Sequence, residues 1–193
     1  MKNKWIKKLG LVLLLVVVSM VAEHLYQIKF NYNFGTITDG KVYKSGVIPP
    51  DRIADYIKEH NIKAVIDFRH GQIQDELNPA NLDEIALERN AVNAIPNVNY
   101  FNIPSSQVPV QDNLDKLYAV LDEPENYPVL MHCYHGTGRA MIYSAIYKME
   151  YEDMPNEEAR QLTRPFYSLP FSSFRPSKPK GKFVLDYKKR PTN

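Results

Sequence analysis

Eight residues, His132-Cys133-Tyr134-His135-Gly136-Thr137-Gly138-Arg139, divide two apolar runs, Val129-Leu130-Met131 before them and Ala140 to Tyr151 after them. The first run reads as a buried strand and the second as a strongly apolar helix. The octapeptide must therefore turn the chain tightly from a strand end into a helix N-terminus. In such a turn successive backbone N–H groups point inward as a nest for an anion, and the helix dipole adds positive potential at the same place. Gly136 and Gly138 permit backbone angles and close approaches that side chains resist. A cysteine at the start of the nest is held as thiolate, because negative charge is what the nest stabilises. Arg139 closes the loop with a planar fork that can bind two oxygens of one tetrahedral anion. Five residues between thiolate and guanidinium bring both to a single phosphate, an arrangement suited to nucleophilic phosphoryl transfer.

The rest of the chain supplies the layers such a turn needs. Val42-Tyr43-Lys44 reads as a short strand closed by Ser45-Gly46, and Pro49-Pro50-Asp51 opens a helix carrying Ile53, Ala54 and Ile57. Ala64 to Phe68 reads as a β-branched strand, Leu82 to Arg89 as a helix, and Asn99 to Ile103 as an alternating strand stopped by Pro104. Leu114, Leu117, Tyr118 and Leu121 share one helical face. Asn156 to Thr163 reads as a last helix, with Glu157 and Glu158 in the first turn, where the dipole favours acids. Strands alternating with helices imply an α/β fold with a mainly parallel central sheet flanked by helices. Cys133 is the sole cysteine of the 193 residues, which excludes an internal disulfide and cysteine-rich zinc sites. The histidines show no metal-ligand spacing, and a net charge of +2 is too small to argue for nucleic acid.

His-Cys, five residues and Arg resembles the signature of the protein tyrosine phosphatase superfamily, in its small dual-specificity branch of bacterial and fungal members. Val42-Tyr43-Lys44-Ser45-Gly46, then Ile62-Lys63-Ala64-Val65-Ile66-Asp67-Phe68-Arg69, then Ile103-Pro104 resemble that branch's landmarks in order. The likeness runs from about Gly40 to Thr163. The resemblance implies a cysteine phosphatase-like α/β fold, a phosphocysteine intermediate on Cys133, and no metal or organic cofactor. It implies phosphate binding by Tyr134, His135, Gly136, Thr137, Gly138 and Arg139. It implies a phosphorylated protein, an inositol phosphate or a lipid phosphate as substrate.

For several residues two readings stand side by side. Taken alone, Cys133 fits a buried structural thiol. His132 either orients the cysteine or satisfies hydrogen bonds at a strand end. His135 and Thr137 act through side chains beside the substrate or through their backbone N–H groups. Arg69 either extends a basic site for multiply phosphorylated substrates or is solvated or salt-bridged.

Two places depart from the family pattern. Ala140 stands where Ser or Thr usually follows the Arg and helps the cysteine leave in the second step. The family carries an Asp general acid on a loop about thirty residues before the Cys, but Pro104-Ser105-Ser106-Gln107-Val108-Pro109 has no acid. Asp112, Asp67 and Asp75 are the remaining candidates, and Asp112 also fits a helix N-cap. A missing acid costs roughly 10²–10⁴-fold in rate. It therefore leaves a second class open, a catalytically weak phosphate-binding module at a membrane. A sulfurtransferase also holds a cysteine in an anion loop, but the loop length and Arg139 argue against it.

Both chain ends stand apart. Met1 to Lys8 carries Lys2, Lys4, Lys7 and Lys8 and no acid, and Leu9 to Ala22 is apolar except for Gly10 and Ser19. With Trp5 at one interface and Leu25 and Tyr26 at the other, residues 1–26 read as a basic flank and membrane anchor, with a signal segment or a buried core helix as alternatives. Met20-Val21-Ala22 makes a poor cleavage site. The positive-inside rule then puts the catalytic domain outside the cytoplasm, in the periplasm if the cell is bacterial, or secretes it if the segment is cleaved. Residues 27–35 read as a linker and 36–165 as the phosphatase domain. Residues 166–193 read as a basic, Pro-rich tail, in which Arg175, Lys178, Lys180, Lys182, Lys188, Lys189 and Arg190 face one acid, Asp186. Such a tail is either solvated and disordered or a surface for anionic lipid headgroups.

Overall fold

Five strands form one sheet: β1 (Gly35–Thr38), β2 (Val42–Ser45), β3 (Ala64–Asp67), β4 (Asn99–Asn102) and β5 (Val129–His132). The computed structural model describes residues 2–72, 81–162 and 172–191. In it the strands lie in the order β1-β2-β5-β3-β4. All neighbours run parallel except the edge pair β1 and β2. The helices are α1 (Lys2–Lys29), α2 (Ile53–Glu59), α3 (Leu82–Asn93), α4 (Gln111–Leu121), α5 (Arg139–Tyr151), α6 (Asn156–Leu162) and α7 (Pro179–Asp186). The fold is thus the α/β arrangement with a mainly parallel sheet that the sequence pattern implies.

Strand alternation splits the core in two. Ala64, Ile66, Val129 and Met131 meet Leu117, Ile142, Ile146 and Val184, from α4, α5 and α7, on one face. Val65 and Leu130 meet Ile53, Ile57 and Val92, from α2 and α3, on the other. Burial on both faces is why β3 and β5 read as unbroken apolar runs. β5 is the middle strand, so the residue after it emerges at the carboxyl edge of the sheet, where open parallel sheets form their clefts. The register places both Ser45 and Asp67 beside His132. Three strand ends therefore support whatever follows His132.

Residues 27–35, read as a linker for want of a period, are structured. α1 continues to Lys29, β1 begins at Gly35, and Phe34 stacks on Tyr43 at 5.5 Å between centroids. Tyr32 and Phe34 pack individually onto the second core cluster, which leaves no helical or strand period to read.

The basic C-terminal segment is not a solvated tail over its described part. Phe174 and Val184 are fully buried. Asn156 Nδ2 donates to the carbonyls of Val184, Leu185 and Tyr187, and Arg160 donates to that of Phe174 at 2.8 Å. Arg190 donates to both carboxylate oxygens of Asp122, at 2.7 and 2.9 Å, and to Glu150 at 2.7 Å. Gly181 sits so close to the preceding turn that a Cβ would fall 2.0 Å from the carbonyl oxygen of Arg175. A side chain there would force α7 off its seat.

α1 is not a core helix. The 20 residues Lys8–Gln27 are long and apolar enough to cross a membrane, and none of that stretch is buried in the fold. At about 1.5 Å rise per residue they span about 30 Å, the thickness of a bilayer's hydrocarbon layer.

Candidate active site

The loop from Cys133 to Arg139 is braced by the end of β2. Cys133 N donates to the Ser45 carbonyl at 3.4 Å, and Val47 N donates to the Tyr134 carbonyl at 3.0 Å. Asn33 Nδ2 donates to the His135 carbonyl at 2.8 Å. Because a trans peptide points its C=O and N–H in opposite directions, tying these carbonyls to the brace turns the N–H groups of His135 and Gly136 away from it. Gly136 has φ +71°, and a Cβ there would lie 2.4 Å from Gly46 N, so only glycine fits this close approach. The loop runs straight into α5, whose N-terminal dipole adds to its positive potential.

Cys133 is 1% exposed and Arg139 3% exposed. Arg139 Nη1 donates to the carbonyl of Phe68 at 2.8 Å and that of Ser105 at 3.2 Å. Nε and Nη2, the two nitrogens along another edge of the guanidinium, are buried without a hydrogen-bond partner. An unsatisfied charged donor costs several kcal/mol, so this edge is poised for an anion. Ser105 is fixed in turn by the Tyr143 hydroxyl, 2.8 Å from its Oγ, and Asn113 Nδ2 donates to the Pro104 carbonyl. Ala140 is fully buried, and Ser144 Oγ, one turn on, is committed to the Ala140 carbonyl at 2.7 Å.

Beneath the loop lies a buried charge cluster. Arg69 forks onto Asp67 through Nε and Nη2, at 2.8–3.0 Å, and Nη2 also reaches Glu88. The Tyr100 hydroxyl donates to Asp67 at 2.6 Å. His132 Nε2 lies 2.8 Å from Glu88 Oε1 and 3.7 Å from Asp67 Oδ1; the angle is poor for a hydrogen bond, but the charges are close. Asp67, Arg69, Glu88 and His132 are each at most 1% exposed. Burial opposes a charge on His132, yet Glu88 and Asp67 outweigh it and hold its pKa above the ordinary value. Burial likewise opposes ionised Asp67, yet His132 and Arg69 hold its pKa down. The result is a histidine whose protonated form is favoured, one residue before Cys133. Asp67, Glu88 and His132 also present donor atoms within 4.8 Å of one another, as a metal site would, but Arg69 already bridges the two carboxylates with a fixed positive charge.

The structure therefore brings Cys133, Tyr134, His135, Gly136, Thr137, Gly138 and Arg139 into one loop and decides among the other readings. His132 belongs to the cluster that fixes the strand end. Arg69 is salt-bridged in the interior and does not extend a basic surface. Asp67, ionised and held by Arg69 and Tyr100, has no proton to give. Asp112 is not an N-cap: Val110 holds that position, its N–H accepted by Asn113 Oδ1, while Asp112 is exposed and paired with Lys116 at 2.6 Å. Asp75 lies outside the described residues. Glu88 escaped the sequence reading, although an acid in the stripe Ile85, Glu88, Val92 signals a buried partner.

Residues 35–169 match the family described as DSP-PTPase phosphatase fused to NAD+ kinase. The fold is similar to three solved phosphatases. One is the core catalytic domain of the PP-IP phosphatase SIW14 from S. cerevisiae, at 18% identity over 81% of this chain and 85% of that one, TM-score 0.54. Another is TpbA from P. aeruginosa, at 17% identity over 82% and 86%, TM-score 0.57. A third is PTP-2 phosphatase from Cydia pomonella, at 17% identity over 80% and 89%, TM-score 0.57. No curated protein matches the chain.

The charge cluster makes stability depend on pH with a definite sign. His132, raised above its unfolded value of about 6.5, contributes fully below that pH and loses its contribution as pH rises through the folded value. Asp67, lowered, contributes above about pH 4 and loses it as pH falls through its folded value. Melting temperature should therefore peak between about pH 4 and 6.5 and decline on the alkaline side. Glu88→Gln removes the strongest charge holding the His132 proton, so the alkaline decline should become smaller and end at a lower pH. An unmoved decline would contradict the assignment.

Proposed function

The chain belongs to the DSP-PTPase phosphatase family, and on that premise we propose that it hydrolyses phosphate monoesters through a phosphocysteine on Cys133. The observation that carries this reading is the buried, unpartnered Nε–Nη2 edge of Arg139, in the same loop as a buried thiol. The Cys133 thiolate attacks phosphorus, forming the S–P bond as the ester P–O bond breaks. The loop N–H groups and Arg139 hold the equatorial oxygens through the transition state. Water then breaks the S–P bond and releases phosphate. Buried Ala140 offers no hydroxyl to the departing sulfur, and Ser144 is occupied elsewhere, so the second step goes without that assistance and is slow. SIW14 is a PP-IP phosphatase and TpbA has been captured with phosphotyrosine, so inositol-type, lipid and phosphotyrosine esters all belong to the substrate class to be screened.

The same reading makes α1 a membrane anchor with the catalytic domain outside the cytoplasm, in the periplasm of a bacterial cell. Unburied apolar side chains along a bilayer-length helix, and lysines concentrated before it, support this placement. The substrates are then envelope lipids, glycans or imported phosphate esters. A second reading, a phosphate-binding module that turns nothing over, draws on Ala140 and on the acid-free segment Pro104–Pro109.

Full-length protein in detergent should release inorganic phosphate from an aryl phosphate between acid and neutral pH. Cys133→Ser should fall to background. Arg139→Lys, which keeps the charge but loses the fork, should lower kcat/KM by about 10²–10³-fold. Phosphate binding with no release by the wild type would favour the binding module. For placement, alkaline phosphatase fused after Asn193 should be active in cells, whereas a stable but inactive fusion would put the domain inside.

A further inference from the structure

In a displacement at phosphorus the attacking and leaving atoms stand roughly in line. Cys133 forms the buried floor of the loop, so the leaving oxygen emerges at the opposite, solvent-facing rim. Two side chains stand beside Gly138, at the loop's Arg139 end. A Cβ on Gly138 would lie 3.0 Å from Lys180 Nζ and 3.5 Å from Gln107 Oε1. They are joined to each other, since Nζ donates to Oε1 at 2.6 Å. The ammonium also lies 5.8 Å from the centre of the Phe174 ring, and Lys180 is half-buried. The register of α7, fixed by the close seat of Gly181 on Arg175, delivers it there. The acids beneath the loop, Asp67 and Glu88, are consumed by Arg69 and His132, and Pro104–Pro109 contains none.

We infer that Lys180, carried by the C-terminal helix, is a catalytic residue whose ammonium, aimed by Gln107, stabilises the negative charge developing on the leaving oxygen. The inference rests on the phosphatase reading above. As the S–P bond forms and the P–O bond breaks, the bonding pair stays on the leaving oxygen. Lys180 Nζ donates a hydrogen bond to that oxygen and keeps its proton. The freed alkoxide or phenoxide takes a proton from water. A preoriented cation in a partly buried site is an efficient way to stabilise such charge. Glycine at 138 leaves room for it against the loop.

The test is leaving-group dependence. Full-length wild type, Lys180→Met and Lys180→Arg, in detergent, are compared on aryl phosphates of increasing phenol basicity by kcat/KM. Lys180→Met should lose about 10-fold with a nitrophenyl ester and about 10²–10³-fold with the unsubstituted phenyl ester, so that its dependence steepens. Lys180→Arg should keep the shallow wild-type slope. Parallel wild-type and Lys180→Met lines would overturn the inference, whether the loss is zero, reflects weaker attraction of anions, or accompanies a lowered melting temperature from undocking α7. A wild type inert toward every ester would instead overturn the phosphatase reading itself.

Discussion

Arg139 is a cation at 3% exposure, and much of the fold's arrangement is what allows it to stay there. A buried, unpaired charge costs several kcal/mol, and a carbonyl dipole offsets only part of that. The two carbonyls that hold Nη1 belong to Phe68 and Ser105, residues that follow β3 and β4. β5 must therefore lie beside β3, and the segment after β4 must fold back over the start of α5. Tyr143, on the same helix, stacks on Phe68 at 3.8 Å and hydrogen-bonds Ser105, which locks both carbonyls in place. What the scaffold leaves unsatisfied is one edge of the guanidinium. That edge is an affinity for anions built into the protein interior.

The second support is electrostatic. Asp67 and His132 end neighbouring strands in register, and Arg69 and Glu88 complete a cluster with two charges of each sign. Removing one member would leave an uncompensated charge, at a cost of about 3–5 kcal/mol. The cluster thus resists movement of the end of β5, and Cys133 is the next residue. It also favours a protonated imidazole one residue before Cys133, while Arg139 closes the other end of the loop. Nucleophile position and positive potential come from the same set of contacts.

The loop was legible in the sequence because its chemistry is contiguous: strand, Cys133, two glycines, Arg139 and helix follow within one short stretch. β3 and β5 were legible for the same reason, as each is a single apolar run. Partners far apart in sequence were not. Arg190 pairs with Asp122 across 68 positions and Lys180 with Gln107 across 73, and nothing in the composition of residues 166–193 shows that those groups await it. The segment looked like a solvated tail because the acids that Arg190 and Lys189 pair with, Asp122, Glu150 and Asp153, lie far back in the chain, at the ends of α4 and α5. Glu88 stood between, visible as an acid on an apolar stripe, but its meaning required knowing that α3 packs over the carboxyl edge of the sheet. The aromatic residues at 32 and 34 hid order instead of signalling it, since each fills its own gap in the core.

The central claim is that the buried thiol carries the phosphoryl group between two half-reactions. Its most direct test is acid-quenched mass spectrometry of full-length protein mixed with excess aryl phosphate. With the second step slow for want of a hydroxyl at Ala140, a single phosphoryl adduct should accumulate on the peptide containing Cys133 and decay as the ester is exhausted. Release of phosphate without that adduct, or with the phosphoryl group on any other residue, would contradict the account.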